Sequence, residues 1–93
     1  MTYEKYQKYE SEFKNFSAVE NKTSNRPDVH AFNLLDKLFP TNGNMVADAL
    51  SGRVYLDVPA SELGAIATES QIVELIRCGV LYDRNLDALF MFV

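Results

Sequence analysis

The sequence predicts an α+β fold, with N-terminal helices followed by a small antiparallel sheet, strand 53–58 plus a C-terminal hairpin 80–93, and two short helices between. Three observations predict it. Apolar side chains recur at helical spacing in the first forty residues, whereas 53–58 and 80–93 contain alternating or extended runs. Glycine, proline and asparagine punctuate the chain between these runs. The length of 93 residues, with 47% apolar and 24% charged side chains, suits one small domain over 1–93.

Residues 1–17 read as an N-terminal amphipathic helix. Tyr3, Tyr6, Tyr9, Phe13 and Phe16 recur with gaps of 3, 3, 4 and 3, which puts them on one stripe. Glu4–Lys8 and Glu10–Lys14 are spaced for favourable pairs on the other faces. Residues 18–26 have no period and read as a flexible connection to a compact core over 27–93. Pro27 and Asp28 suit the start of a second helix, which Pro40 closes. Its apolar residues cover more than half the circumference, so it should be central.

Met45–Ser51 reads as a short third helix with Gly52 at its C-terminal cap. Residues 53–58 alternate as a strand that Pro59 ends. Ser61 can cap a helix over 62–67, and Thr68 with Gln71 forms a capping box for 69–78. A single helix over 61–78 is the alternative. Gly79 ends this region, and the runs around 83–87 signal a hairpin.

Charge is distributed unevenly. The net charge is −4, yet residues 1–40 hold six acids and six bases. Residues 41–93 hold seven acids against Arg53, Arg77 and Arg84, and no lysine. This balance disfavours nucleic acid and an anionic membrane surface as partners. No run approaches the roughly 20 apolar residues of a membrane span, and the N-terminus lacks the apolar stretch of a secretion signal. One solitary cysteine fits a reducing, cytoplasmic location.

Few residues suggest chemistry. One cysteine and one histidine cannot build a usual structural zinc site, and the acids are too dispersed for a calcium loop. Four scattered glycines make no phosphate-cradling loop. His30 falls at the margin of its helix's apolar stripe, as an ordinary boundary histidine. Cys78 lies near Glu74 at a helix C-terminus, where both charges disfavour thiolate. No catalytic residue, cofactor or metal is expected, and the chain reads as a non-enzyme.

The expected order from residue 45 (helix, strand, helix, helix, strand, turn, strand) resembles a winged helix. The resemblance implies a recognition helix over 69–78 with Ser70, Gln71, Glu74 and Arg77 outward. It also implies a wing holding Asp83, Arg84, Asn85 and Asp87. Acids outnumber bases on those elements, whereas DNA reading needs cations toward phosphates. A DNA-binding regulator is therefore the alternative and a protein partner the leading expectation. On that expectation the chain is an acidic module that regulates or blocks a partner with a basic surface. Phage or mobile-element inhibitors that fill basic nucleic-acid channels are the analogy. Glu62, Glu69, Glu74, Asp83 and Asp87 would steer association, and aromatic residues such as Tyr3 and Tyr6 would supply affinity. A third reading is a homo-oligomeric assembly subunit, a homodimer for example, built by strand 88–93 at a sheet edge.

Overall fold

The computed structural model describes residues 2–92, so Met1 and Val93, the outermost residues of the expected first helix and last strand, lie outside the described residues. Helix α1 spans Thr2–Lys8 and is followed by 3₁₀ turns at Glu10–Glu12 and Phe16–Ala18. Helix α2 spans Pro27–Leu38, strand β1 Val46–Leu50 and strand β2 Arg53–Leu56. Helices α3, Ala60–Ile66, and α4, Glu69–Arg77, lead to strands β3, Leu81–Asp83, and β4, Ala88–Phe92. The strands form one antiparallel sheet in the order β1-β2-β4-β3. The fold is α+β, as the sequence predicts.

Helix α4 carries the strongest local signals. Thr68 Oγ1 accepts from Gln71 N–H at 3.1 Å, and Gln71 Oε1 accepts from Thr68 N–H at 2.9 Å, completing the capping box. Its far end closes through Gly79 at φ 93°, with Gly79 N–H donating to Ile76 O and Val80 N–H to Leu75 O. Ile72, Leu75 and Ile76 are fully buried. These caps also resolve 61–78 into two helices, because Ala67 is already extended. Pro59, not Ser61, precedes α3, and Ser61 lies inside it. Helix α2 begins with Pro27 and buries Ala31 and Leu35 completely, which makes it central as expected.

Several expectations are corrected. Residues 46–50 form a strand, not a helix. Ser51 and Gly52 both take positive φ, 53° and 76°, the geometry of a two-residue hairpin turn. A glycine at positive φ serves a helix cap and such a turn equally, and Val-Ala-Asp-Ala-Leu has ordinary helix propensity, so local pattern misleads here. The winged-helix order from residue 45 therefore loses its first helix, and α2 is the helix that precedes the sheet.

The first helix ends at Lys8 instead of continuing to 17. Its aromatic residues still point inward although the backbone beyond Lys8 is no longer one helix, with Phe13 extended and Lys14 at φ 61°. Tyr6 enters the core, and Tyr9, Phe13 and Phe16 pack against it. The chain leaves the helix to reach α4, where Lys14 N–H donates to Ile76 O at 3.1 Å. Helix α1 docks on α3 through Thr2, whose hydroxyl donates to Ala60 O at 2.8 Å and accepts from Gly64 N–H at 3.0 Å. A side-chain oxygen thus stands inside the backbone ladder of another helix. Lys5 Nζ adds a bond to Gly64 O at 2.6 Å.

Residues 18–26 are irregular but fastened. Val19 is buried, Lys22 Nζ donates to Val19 O, and Arg77 Nη1 donates to Ala18 O. Strand 88–92 is interior in the sheet order, paired with β2 through 90–92 and with β3 through 88–90, so it is not the sheet edge that the sequence suggests. The open edges belong to three-residue β3 and to β1, which carries a bulge between Val46 and Asp48. Asp48 Oδ1 also accepts the Ala49 N–H at 2.8 Å. A bulge, a charge and a short strand are the usual guards of sheet edges.

One polar atom is out of place in this core. Tyr6 is 6% exposed and its hydroxyl has no hydrogen-bond partner among the described residues. Burial, with a smaller contribution from the nearby Cys78, keeps this phenol neutral far above its ordinary range. Tyr6→Phe removes the unsatisfied group at constant shape. It is expected to raise unfolding free energy by about 1 kcal/mol, measured by urea denaturation. Burial, and secondarily the Glu74 carboxylate, pushes the Cys78 thiol up to about 12. The native protein is therefore expected to resist thiol-specific labelling at pH 8 and to react once unfolded.

Candidate interaction surface

Two surface regions combine several functional groups: a polar cleft between α2 and α4, and the outer face of the sheet. The cleft, about 500 Å³, is lined by His30, Asn33 and Lys37 of α2, by Ser70, Gln71, Glu74 and Arg77 of α4, and by Val19, Glu20, Asn21 and Thr23. It contains the outward positions that the winged-helix comparison assigns to a recognition helix. Most of those side chains are engaged within the molecule. Gln71 completes the capping box, and Arg77 Nε donates to Glu12 Oε1 at 2.7 Å.

Glu74 pairs with His30, whose Nε2 lies 2.6 Å from Glu74 Oε2. His30 is not a boundary residue: it is 3% exposed, with the Phe16 ring edge-on at 6.0 Å. Its Nδ1 accepts the Thr23 backbone N–H at 3.1 Å. That bond leaves the proton on Nε2, which donates to Glu74. Thr23 Oγ1 is 3.2 Å from the same Nδ1 and accepts from Asn33 Nδ2 at 3.0 Å. Both ring nitrogens are therefore occupied by protein groups. His30 clamps α2, α4 and the 19–23 segment together and leaves neither nitrogen directed at a substrate.

The outer face of the sheet follows from register. Cross-strand partners share a face, so Leu50, Arg53, Tyr55, Leu81, Asp83, Phe90 and Phe92 lie on one side. The other side places Val54, Tyr82, Leu89 and Met91 in or against the core beneath the helices. Phe90 is 5% exposed yet stands outside that core. It is covered from its own face. The Arg53 guanidinium lies 4.4 Å from its ring centroid, Tyr55 is 5.7 Å away and Phe92 5.4 Å.

Asp83 holds Arg53 in place at 3.5 Å and accepts the Tyr55 hydroxyl at 3.1 Å. It also accepts the Asn85 and Leu86 N–H groups, which shapes the β3–β4 turn. Burial acts to raise the Asp83 carboxyl, but the Leu86, Tyr55 and Asn85 donors and Arg53 outweigh it and hold the group below its ordinary range. Around this fixed centre, Leu50 is 59% and Phe92 50% exposed. The result is a pre-ordered aromatic and arginine patch with apolar margins.

The residues expected to meet a partner are dispersed. Asp83 and Asp87 share one turn, where Asp87 accepts the Tyr82 hydroxyl at 2.6 Å. Glu69 accepts from Tyr9 at 2.5 Å with Lys8 at 3.9 Å, and these groups, Tyr9 foremost, lower its carboxyl. Glu62 is exposed on α3, and Glu74 belongs to His30. Tyr3 is half-buried under the Arg84 guanidinium at 4.2 Å, while Tyr6 is inside the core. Reasoning from sequence singled out 88–93 only as a sheet edge for assembly and missed the outer face that Arg53 and Tyr55 form with Phe90 and Phe92. A usable signal existed: 88–92, Ala-Leu-Phe-Met-Phe, is apolar at every position, although helices cover one side of the sheet only. Among the described residues no group of three or more His, Cys, Asp or Glu could hold a metal ion, and no helix is long and apolar enough to cross a membrane.

Asp83, Glu69 and Glu12, the last lowered chiefly by Arg77, set an acid limb to stability. Each has a folded pKa below its unfolded value, so its contribution is present above about pH 4 and lost as pH falls through the folded value. Asp83→Asn is expected to lower the urea midpoint at pH 7 and to flatten its decline below about pH 4. Comparison of the chain with family models, curated proteins and solved structures finds no match.

Proposed function

We propose that the chain is a non-catalytic, acidic protein-binding module that regulates a macromolecular partner by occupying a basic surface on it. The observation that carries this reading is the outer sheet face. Aromatic side chains and arginine dominate binding hot spots because they bury large rigid areas and keep polar tips. Here Phe90 and Arg53 are already ordered by Tyr55 and Asp83. Little side-chain entropy remains to be lost on binding, which favours affinity. Exposed Leu50 and Phe92 extend the same patch.

Charge supports the basic partner. Asp48 faces the same side as Tyr55, Asp83 and Asp87 sit at the adjoining turn, and the net charge is −4. Long-range attraction of this sign speeds encounter with a basic surface and weakens as salt rises. The His30 clamp, with both nitrogens engaged, supports the absence of catalysis. A DNA-reading helix is disfavoured, because Gln71, Glu74 and Arg77 of α4 are spent on internal contacts.

Immobilised protein is expected to retain a basic protein from a host extract and to release it as salt rises. Leu50→Ser with Phe92→Ser should reduce retention at least about tenfold; because Phe92→Ser also gives up ring contacts with Phe90 and Arg53, the urea midpoint is measured alongside to show that the variant is folded under the binding conditions. Retention that ignores both salt and this double variant would overturn the proposal. Bulk duplex DNA should run unretarded at micromolar protein and low salt; retardation would move the reading to nucleic acid.

A further inference from the structure

The loop between α2 and β1 holds the one Asn-Gly pair of the chain, Asn42-Gly43. Asparagine is a thermolabile side chain, because its amide carbon is within reach of the backbone nitrogen of the next residue. Attack by that nitrogen closes a succinimide ring. A side chain on the following residue crowds the approach, and glycine has none.

The structure leaves this pair free to react. Asn42 and Gly43 are both exposed, in an irregular stretch between Leu38 and Val46. Gly43 has φ 103°, and beyond its chain neighbours no heavy atom lies within 4 Å of the place a Cβ would take. Among the described residues, neither Asn42 nor Gly43 joins a hydrogen bond, so the Gly43 nitrogen is not tied to a carbonyl. The chain's other asparagines differ. The Leu34 N–H after Asn33 lies within helix α2. The Arg26 and Leu86 N–H groups, after Asn25 and Asn85, donate to Ser24 Oγ and Asp83 Oδ1. Asn15, Asn21 and Asn44 precede Phe16, Lys22 and Met45, whose side chains crowd the nitrogen.

We propose that Asn42 is a site of self-modification, at which the native protein consumes water and converts this residue to aspartate and isoaspartate. The Gly43 nitrogen gives up its proton to solvent base and bonds to Asn42 Cγ. The bond from Cγ to the side-chain nitrogen breaks, and ammonia leaves. Water then opens the ring at either carbonyl. In sum, an amide and water become a carboxylate and ammonium, with nothing oxidised or reduced. Opening at Cγ gives aspartate. Opening at the main-chain carbonyl gives isoaspartate, which routes the backbone through Cβ and adds one atom to the path from α2 to β1. Either product adds one negative charge to a chain whose net charge is −4. The site stands apart from the binding surface and does not depend on that reading.

The test is incubation of the full chain at pH 7 and at pH 8, followed by tryptic digestion. The peptide from Leu38 to Arg53 is resolved by chromatography against synthetic asparaginyl, aspartyl and isoaspartyl standards. Asn42 is expected to convert before any other asparagine, to both products, and faster at pH 8 by up to about tenfold, as the amide anion's population grows. Gly43→Ala should slow the conversion at least about tenfold. Alanine is strained at this φ, so the urea midpoint of that variant is followed alongside. Asn42→Gln keeps the glycine and should leave the intact protein as a single charge species on ion exchange.

Persistence of Asn42 for as long as Asn33, or conversion spread evenly over the asparagines, would overturn the proposal. So would a rate indifferent to pH, a folded Gly43→Ala variant that converts as fast as the unsubstituted chain, or charge splitting that survives Asn42→Gln.

Discussion

The anchoring of α4 is the constraint on which the rest of the molecule depends. The helix has only nine residues, too few to persist alone in water, and is closed at both ends by hydrogen bonds from its own flanks. Its buried side supplies Ile72, Leu75 and Ile76 to the core. Its other side receives the N-terminal part of the chain. Tyr9 reaches Glu69, Glu12 reaches Arg77, the Lys14 backbone reaches Ile76, and His30 reaches Glu74. Residues 9–26 contain only two 3₁₀ turns and hold their course because α4 offers partners at nearly every turn.

A second constraint follows from having one helical layer. Among the described residues, the four helices pack their hydrophobic side chains into the core on one face of the sheet, and the other face is finished by the strands' own side chains. The molecule therefore covers Phe90 with a charged side chain, and Asp83 neutralises that charge. Arginine suits this position because its flat, weakly hydrated head tolerates an aromatic surface below and a carboxylate beside it. Stability and recognition draw on the same residues. A face finished by Arg53, Tyr55 and Phe92 is self-consistent in water and still presents the side-chain types that protein partners bury.

Much of the fold was legible because its signals are local. Pro27, the Thr68–Gln71 box, Gly79 and the turn after Asp83 each act within a few residues of themselves. The 46–50 segment was misread because helix propensity and a turn glycine point one way locally and the pairing with β2 decides the other. The early end of α1 was likewise hidden, since Lys14 bonds a carbonyl 62 positions further along. Of the surfaces, the acidity of the second half was visible as a count. Its partition was not: three of the five expected acids are paired with Lys8, His30 or Arg53 from distant segments. The His30 clamp joins residues 44 apart, and no spacing rule reaches that far.

The hydroxyl of Thr2 between Ala60 and Gly64 has a consequence in time as well as space. Those bonds join positions 58 and 62 apart, and closing so long a loop gives no return until both ends have found each other. The site they need is a turn of α3, so that turn must exist first. Strands β1 and β2, joined by two residues, and the α3–α4 pair with their caps involve far shorter loops. On loop-closure grounds alone, the docking of α1 on α3 is the most expensive of these contacts to form early and is expected to follow the local pairs.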